Sequence, residues 1–276
     1  NELSGSIGSS ITNLINLEEI ALEHNNFSGT FPDLTGLNNL RHLRAFNCNF
    51  SGAFPEANWQ LPALTTFNVG YNPQLNIIIP SNLGSLTGLE IINISRTIPI
   101  RGAFPSDIFS LVNLTSIEIG GHNFTGTIGP EIGNLTNLQW LWIWDNLLTG
   151  DFPSEISNLS NLIGLGIAGN EFTSFPNISA LPNLDHVDIA FNYLDFDDIL
   201  PYVNLPLGYF RYPTQKVRPA EYLTVPTNGS ATISNPYDAS GNQYLWVFNY
   251  DTLSSQTNKD IALNNAGFTN LGSYYC

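Results

Sequence analysis

The sequence predicts a solenoid of stacked repeats followed by a smaller β-rich module, and three observations predict it. The pattern L-x-x-L-x-L-x-x-N starts at Leu17, Leu40, Leu64, Leu89, Leu114, Leu138, Leu162 and Leu184, at intervals of 22 to 25 residues. A unit this short cannot bury its own apolar face, so consecutive units must stack. Each unit then runs into an apolar-Pro step with a small polar residue or Gly before it, as in "FSGTFP", "FSGAFP", "IRGAFP" and "LTGDFP". From about Tyr209 leucine thins out, and "EYLTVPTNGSATISNP" and "NQYLWVFNY" alternate like strands between turn residues. The expected division is therefore residues 1–208 for the repeats with their closing cap and 209–276 for the second module.

Within each repeat, the second and third leucines of L-x-x-L-x-L face the core, and the first leucine with the return segment ("SEISNLSNL") fills the rest of the wedge. These residues resemble the leucine-rich repeat family, and the L-x-G-x-I-P step resembles the subtype best known from plant receptors. The resemblance implies a curved, right-handed solenoid in which each repeat adds one short parallel strand to a concave sheet. Asn25, Asn72, Asn146, Asn170 and Asn192 fill the ninth slot, where an amide can satisfy buried loop backbone in adjacent repeats. Cys48, Thr97 and His122 take that slot elsewhere, so Cys48 reads as a buried thiol and His122 as a ladder residue. Remnants of a further unit precede Leu17.

After Leu184 the pattern decays into "YLDFDDILPYVNLPL", which reads as a cap. Its Asp195, Asp197 and Asp198 lack the Gly and closing Glu of a calcium loop. Trp246, with Tyr274 two residues before Cys276, resembles the immunoglobulin-like fold, in which a tryptophan packs under a strand that carries a tyrosine corner and a Cys. That resemblance implies a β-sandwich over residues 209–276, departing from the pattern in having no second Cys and no last strand. The missing strand is expected either beyond Cys276 in a longer polypeptide, the favoured alternative, or from a neighbouring molecule by strand addition. Repeats followed by such a module resemble secreted or surface proteins of environmental bacteria, which implies an extracellular location.

Composition removes several classes of function. Asp plus Glu outnumber Lys plus Arg by 23 to 8, a formal charge of -15, so nucleic acid is not an expected partner. No apolar run is long enough to span a membrane. The opening "NELSGSIGSS" has neither a basic start nor an apolar signal core, and the native N-terminus is expected to have been removed or to lie outside this sequence. The two cysteines make no disulfide framework, and no metal or cofactor is expected. No P-loop, H-E-x-x-H or G-x-S-x-G motif occurs, and His24, His42, His122 and His186 sit in different repeats, so no catalytic residue is expected.

The repeat phase instead points to a binding face. In "NLQWLWIWDN", Trp140, Trp142 and Trp144 occupy the outward concave positions while Leu141 and Ile143 face the core. Three bare indoles would form an apolar patch of roughly several hundred Å², which monomers rarely leave uncovered. They are expected to stand as an aromatic ridge beside an open trough over the small residues Gly164 and Gly166, and with Glu118 on the other side and His186 and Asp188 beyond, these are the expected ligand-binding residues. Glu19 and Glu23 make one end acidic, and the His42, Arg44 and Phe46 cluster reads as ordinary surface. The expected function is non-catalytic extracellular recognition or adhesion, with a protein, peptide or glycan on the concave face. The alternative is a structural protein assembling with copies of itself into a surface layer or filament. Nine N-x-S/T triplets, at Asn26, Asn49, Asn93, Asn113, Asn123, Asn134, Asn158, Asn177 and Asn228, are candidate glycosylation sites, with Asn93 at an outward concave position.

Overall fold

The computed structural model describes residues 2–202, 205–212 and 215–216, except the side chains of 196, 197 and 200. Beyond 216 it describes only the short strands Ala231–Ser234, Val247–Phe248, Asp251–Thr252, Asp260–Leu263 and Tyr274–Tyr275. The chain forms two compact units, residues 1–194 with 198–216, and residues 195–197 with 217–276.

The first unit is the expected solenoid. Its concave sheet runs in strict chain order through Glu19–Ala21, His42–Arg44, Thr66–Asn68, Ile91–Asn93, Ser116–Glu118, Trp140–Trp142, Gly164–Gly166, His186–Asp188 and Tyr209–Arg211, every neighbouring pair parallel. Equivalent repeat positions pair directly, so one row across the sheet reads Arg44, Asn68, Asn93, Glu118, Trp142, Gly166, Asp188 and Arg211. Leu141 and Ile143 are wholly buried beneath this face, as are Ile117, Ile119, Leu165 and Ile167, which places the tryptophans outside the core as the repeat phase requires.

The sheet has one strand more than the eight repeats read from sequence. Tyr209–Arg211 pairs with His186–Asp188, so the solenoid continues past the boundary expected after residue 208. Its repeat, "LGYFRYPTQ", carries Phe and Tyr where Leu is usual and Gln in the ladder slot, which hid it. Gln215 nevertheless bonds as a ladder residue does, with Nε2 donating to Ile189 O at 3.1 Å and Oε1 accepting the Leu194 N–H at 3.4 Å. Among the aspartates read as part of a cap, Asp198 Oδ1 accepts the Phe175 N–H at 2.9 Å and the Ser174 hydroxyl at 3.3 Å.

The first seven repeats also contribute a second strand on the flank, where only a return loop was expected, and Ser4–Gly5 adds one ahead of them. Ser4–Gly5, Asn26–Thr30, Asn49–Ala53 and Gln74–Asn76 form one parallel flank sheet, and Arg101–Ala103, Asn123–Gly126, Leu147–Asp151 and Glu171–Ser174 a second. The glycine of the x-G step supplies left-handed backbone within these strands, as at Gly150, where φ is 79° and the pairing register shifts before Asp151. The break between the two flank sheets coincides with an irregular stretch of the ladder. A ladder Asn normally accepts the N–H two residues after the preceding ladder residue, as Asn72 does from Phe50 at 3.0 Å and Asn146 from Phe124 at 3.2 Å. Thr97 is too short for this, and its hydroxyl bonds only Ile94 O in its own repeat. The next ladder residue, His122, meets Pro99 at the usual donor position, and its longer ring takes the Ile100 N–H instead.

The second unit shows two antiparallel arrangements, Ala231–Ser234 with Asp260–Leu263, and Val247–Phe248 between Asp251–Thr252 and Tyr274–Tyr275. The Trp246 and Cys276 on which the immunoglobulin-like expectation partly rests lie outside the described residues.

Candidate functional site

The concave row of strands sets the expected binding residues other than Trp144 side by side: Trp140 pairs with Gly164 and then His186, while Trp142 pairs with Glu118, Gly166 and then Asp188. What the strand geometry leaves open is how the indoles lie. They do not stand out as a ridge beside an open trough; all three are half-buried, and Gly164 and Gly166 are fully buried. A Cβ at Gly164 would fall 2.3 Å from Trp140 Cε3, one at Gly166 would fall 2.1 Å from Trp142 Cε3, and one at Gly120 would fall 2.3 Å from Trp144 Cε2. The glycines are thus space for the protein's own indoles, and the expectation of vacant room over Gly164 is corrected. Ala at Gly166 is expected to push Trp142 off the sheet, costing about 1–3 kcal/mol by analogy with overpacked cores. A red-shifted tryptophan emission spectrum and a lower urea midpoint would show it; unchanged emission would mean that the ring does not rest there.

Laid down in this way, the aromatic groups form a continuous band. Trp140 and Trp142 stack at 5.9 Å between centroids, Trp140 meets the His186 ring edge-on at 6.0 Å, and His186 stacks on Tyr209 at 6.1 Å. Beside this band lies a cavity of about 660 Å³, bordered among others by Glu118, Trp142, Trp144, Gly166 and Asp188. Four further lining residues, Tyr71, Arg96, Asp145 and Phe191, were not anticipated. All occupy the eighth slot of their repeats, immediately before the ladder residue, and all have left-handed backbone, with φ of 55°, 51°, 48° and 56°. The alternation of a strand reaches only the seventh residue of a repeat and the chain leaves the strand conformation one residue later, so a strand pattern does not reveal this position. Tyr209 and Arg211, from the unforeseen ninth repeat, close the cavity.

Charges around the cavity are arranged unevenly. Arg211 Nη1 donates to Asp188 Oδ2 at 2.9 Å and its guanidinium lies 5.1 Å from the Phe191 ring centroid. Arg96 lies over the Tyr71 and Trp144 rings, at 5.5 and 4.9 Å. Glu118 accepts the Asn93 amide at 2.8 Å, and burial raises its carboxyl above the usual range. His186 Nδ1 stands 2.8 Å from Asp185 Oδ2, not from Asp188, so the His and Asp that share a strand face do not act as a pair. At the far end of the sheet, Arg44 bridges Glu19 and Glu23, and His42 Nδ1 lies 3.0 Å from the Thr66 hydroxyl.

The sequons divide by exposure. Asn26, Asn49, Asn113, Asn134, Asn158 and Asn177 are exposed and Asn123 is half-exposed, all on the flank or convex side; Asn228 lies outside the described residues. Asn93 is a correction: only 1% exposed, it donates to Glu118 and accepts the Ser95 N–H at 3.0 Å. Its amide fits against Gly70, where a Cβ would come within 2.3 Å of Asn93 Oδ1, so the side chain is closed to modification in the folded protein.

Comparison with known proteins agrees with this architecture. The leucine-rich repeat family model matches residues 137–159. No curated protein sequence matches the chain. Among solved structures, the plant peptide hormone receptor RGFR1 in complex with RGF2 is 37% identical over 70% of this chain and 31% of its own, with a TM-score of 0.61. The Arabidopsis receptor kinase HAESA, in complex with the peptide hormone IDA and the co-receptor SERK1, shares the fold at 23% identity and a TM-score of 0.65, over 79% of this chain and 41% of that one. The Leptospira interrogans leucine-rich repeat protein LIC12759 shares it at 22% identity and a TM-score of 0.54, over 77% and 58%. The chain thus spans less than half the length of either of these two receptors. Among the described residues, no helix is long and apolar enough to cross a membrane.

Proposed function

We propose that this leucine-rich repeat solenoid is a non-catalytic extracellular recognition module whose concave face binds a peptide or an extended protein segment. The observation that carries the reading is the aromatic band from Trp142 through Trp140 and His186 to Tyr209, running beside a cavity of about 660 Å³. Large rings already fixed against glycine backbone lose little freedom when a partner arrives, which is the property of interface hot spots. Two of the structural neighbours are receptors solved with peptide hormones, and this supports a peptide over other ligands.

A phage-displayed random peptide library selected on the purified protein tests the reading. Peptides that emerge are expected to bind Trp142→Ala more weakly by about 2 kcal/mol or more, the scale of an aromatic hot spot. Equal binding by the variant would remove the tryptophan band from the site. A chain that selects no peptide, binds glycans on an array or scatters light as a polymer would favour the other ligands or self-assembly.

A further inference from the structure

On the reading that the concave face takes a peptide, we infer that the cavity beside the tryptophans receives a cationic group of that ligand, a Lys or Arg side chain, with Glu118 as its counter-ion.

Glu118 is half-buried on the concave face, next to Trp142 in the sheet, and both border the cavity. Among the described residues no Lys, Arg or His pairs with it; its hydrogen bond is from the neutral amide of Asn93. The two arginines that border the same cavity are engaged elsewhere, Arg211 with Asp188 and Arg96 over Tyr71 and Trp144. A carboxylate removed from water without a cation carries an uncompensated desolvation cost, visible in its raised carboxyl, and a cation supplied by a ligand offsets that cost. Trp142 supplies an aromatic wall of the kind that attracts ammonium and guanidinium groups.

The sign of the field agrees. Glu118, Asp145 and Asp188 stand against Arg96 and Arg211 around the cavity, and the whole chain carries a formal charge of -15, so an anionic ligand is repelled both at the site and at a distance. A metal ion is not the occupant the geometry suits, because among the described residues no group of three His, Cys, Asp or Glu side chains is placed to hold one.

The experiment is a random peptide library selected in parallel on the wild type and on Glu118→Gln. Gln is isosteric and retains an oxygen for the Asn93 amide, and an unchanged melting curve would verify the fold. The wild type is expected to enrich peptides containing Lys or Arg, and these should bind Glu118→Gln roughly tenfold or more weakly, as for loss of one partner of a desolvated charge pair. Enriched peptides without Lys or Arg, or cationic peptides that bind both proteins equally, would overturn the cation assignment while leaving peptide binding intact. Failure to select any peptide would overturn the peptide reading itself and this inference with it.

Discussion

Replacing Asn170 with Ala is expected to lower the stability of the solenoid by about 3–4 kcal/mol, because buried polar groups that lose their partner keep their full desolvation cost. Asn170 is wholly buried. Its Oδ1 accepts the Leu148 N–H at 3.2 Å, and its Nδ2 donates to Ile143 O at 3.0 Å and Ile167 O at 2.9 Å. One side chain therefore ties its own concave strand to the preceding repeat and to that repeat's flank strand. Alanine leaves a donor and two acceptors in a site too enclosed for ready replacement by water. Asn161 is the control: it donates to Thr136 O at 2.9 Å across the same repeat boundary, but it is exposed. Its replacement by Ala should cost no more than about 0.5 kcal/mol, since water takes over the carbonyl. Urea unfolding of both variants gives the comparison, and equal midpoints would show that the ladder contributes no more than a surface hydrogen bond. Because repeats couple chiefly to their neighbours, a broadened transition in Asn170→Ala is a further expected sign.

The second large effect is a loss of stability in acid that resides in one residue. His122 fills a ladder slot, with Nε2 3.0 Å from Ile94 O and Nδ1 accepting the Ile100 N–H at 3.3 Å. This assigns the neutral Nε2–H tautomer, since a protonated ring has no acceptor for Ile100. Burial brings its pKa down to about 4 from the ordinary 6.5. The folded value is the lower one, so the unfolded chain takes up the proton first. The His122 contribution is complete above about pH 6.5 and is lost as pH falls towards 4, amounting to about 3 kcal/mol at 1.36 kcal/mol per unit. The Glu118 carboxyl, raised by burial, works in the opposite direction at the acid end, so the comparison must be with a variant rather than with pH alone. His122→Gln cannot titrate, and glutamine already serves the ladder at Gln215. Its stability should therefore fall much less than the wild type's between pH 6.5 and 4. Parallel stability curves for the two proteins would place the acid sensitivity elsewhere.

Much of this molecule is legible in the order of its residues, because a repeat constrains the chain twice over. The spacing of Leu138, Leu141 and Ile143 fixes which side chains enter the core, and alternation then obliges Trp140, Trp142 and Trp144 to point out of the concave sheet, as they do. The ladder roles of Asn72, Asn146, Asn170, Asn192 and His122 follow from the same period, and each makes the bonds that the slot requires. Where the residue types of the pattern change, the period is no longer visible: Phe210 and Gln215 continue the repeat with other residues, and only their pairing and hydrogen bonds reveal it.

What the period could not decide is how a side chain lies once it has left the backbone. Direction follows from the strand, but tilt depends on what occupies the adjacent strands, which sit about 4.8 Å away in space and some two dozen residues away in sequence. Glycines at 120, 164 and 166 let three indoles lie down on the sheet, so the trough they were expected to border is filled by the rings. Gly70 likewise lets Asn93 fold inward onto its neighbour, closing a sequon that the strand phase placed outside. The sequence by itself determined the solenoid, its register and the face on which the tryptophans lie. Packing between repeats decided the shape of that face, the cavity beside it and the residues that line it, because those depend on contacts that no single repeat contains.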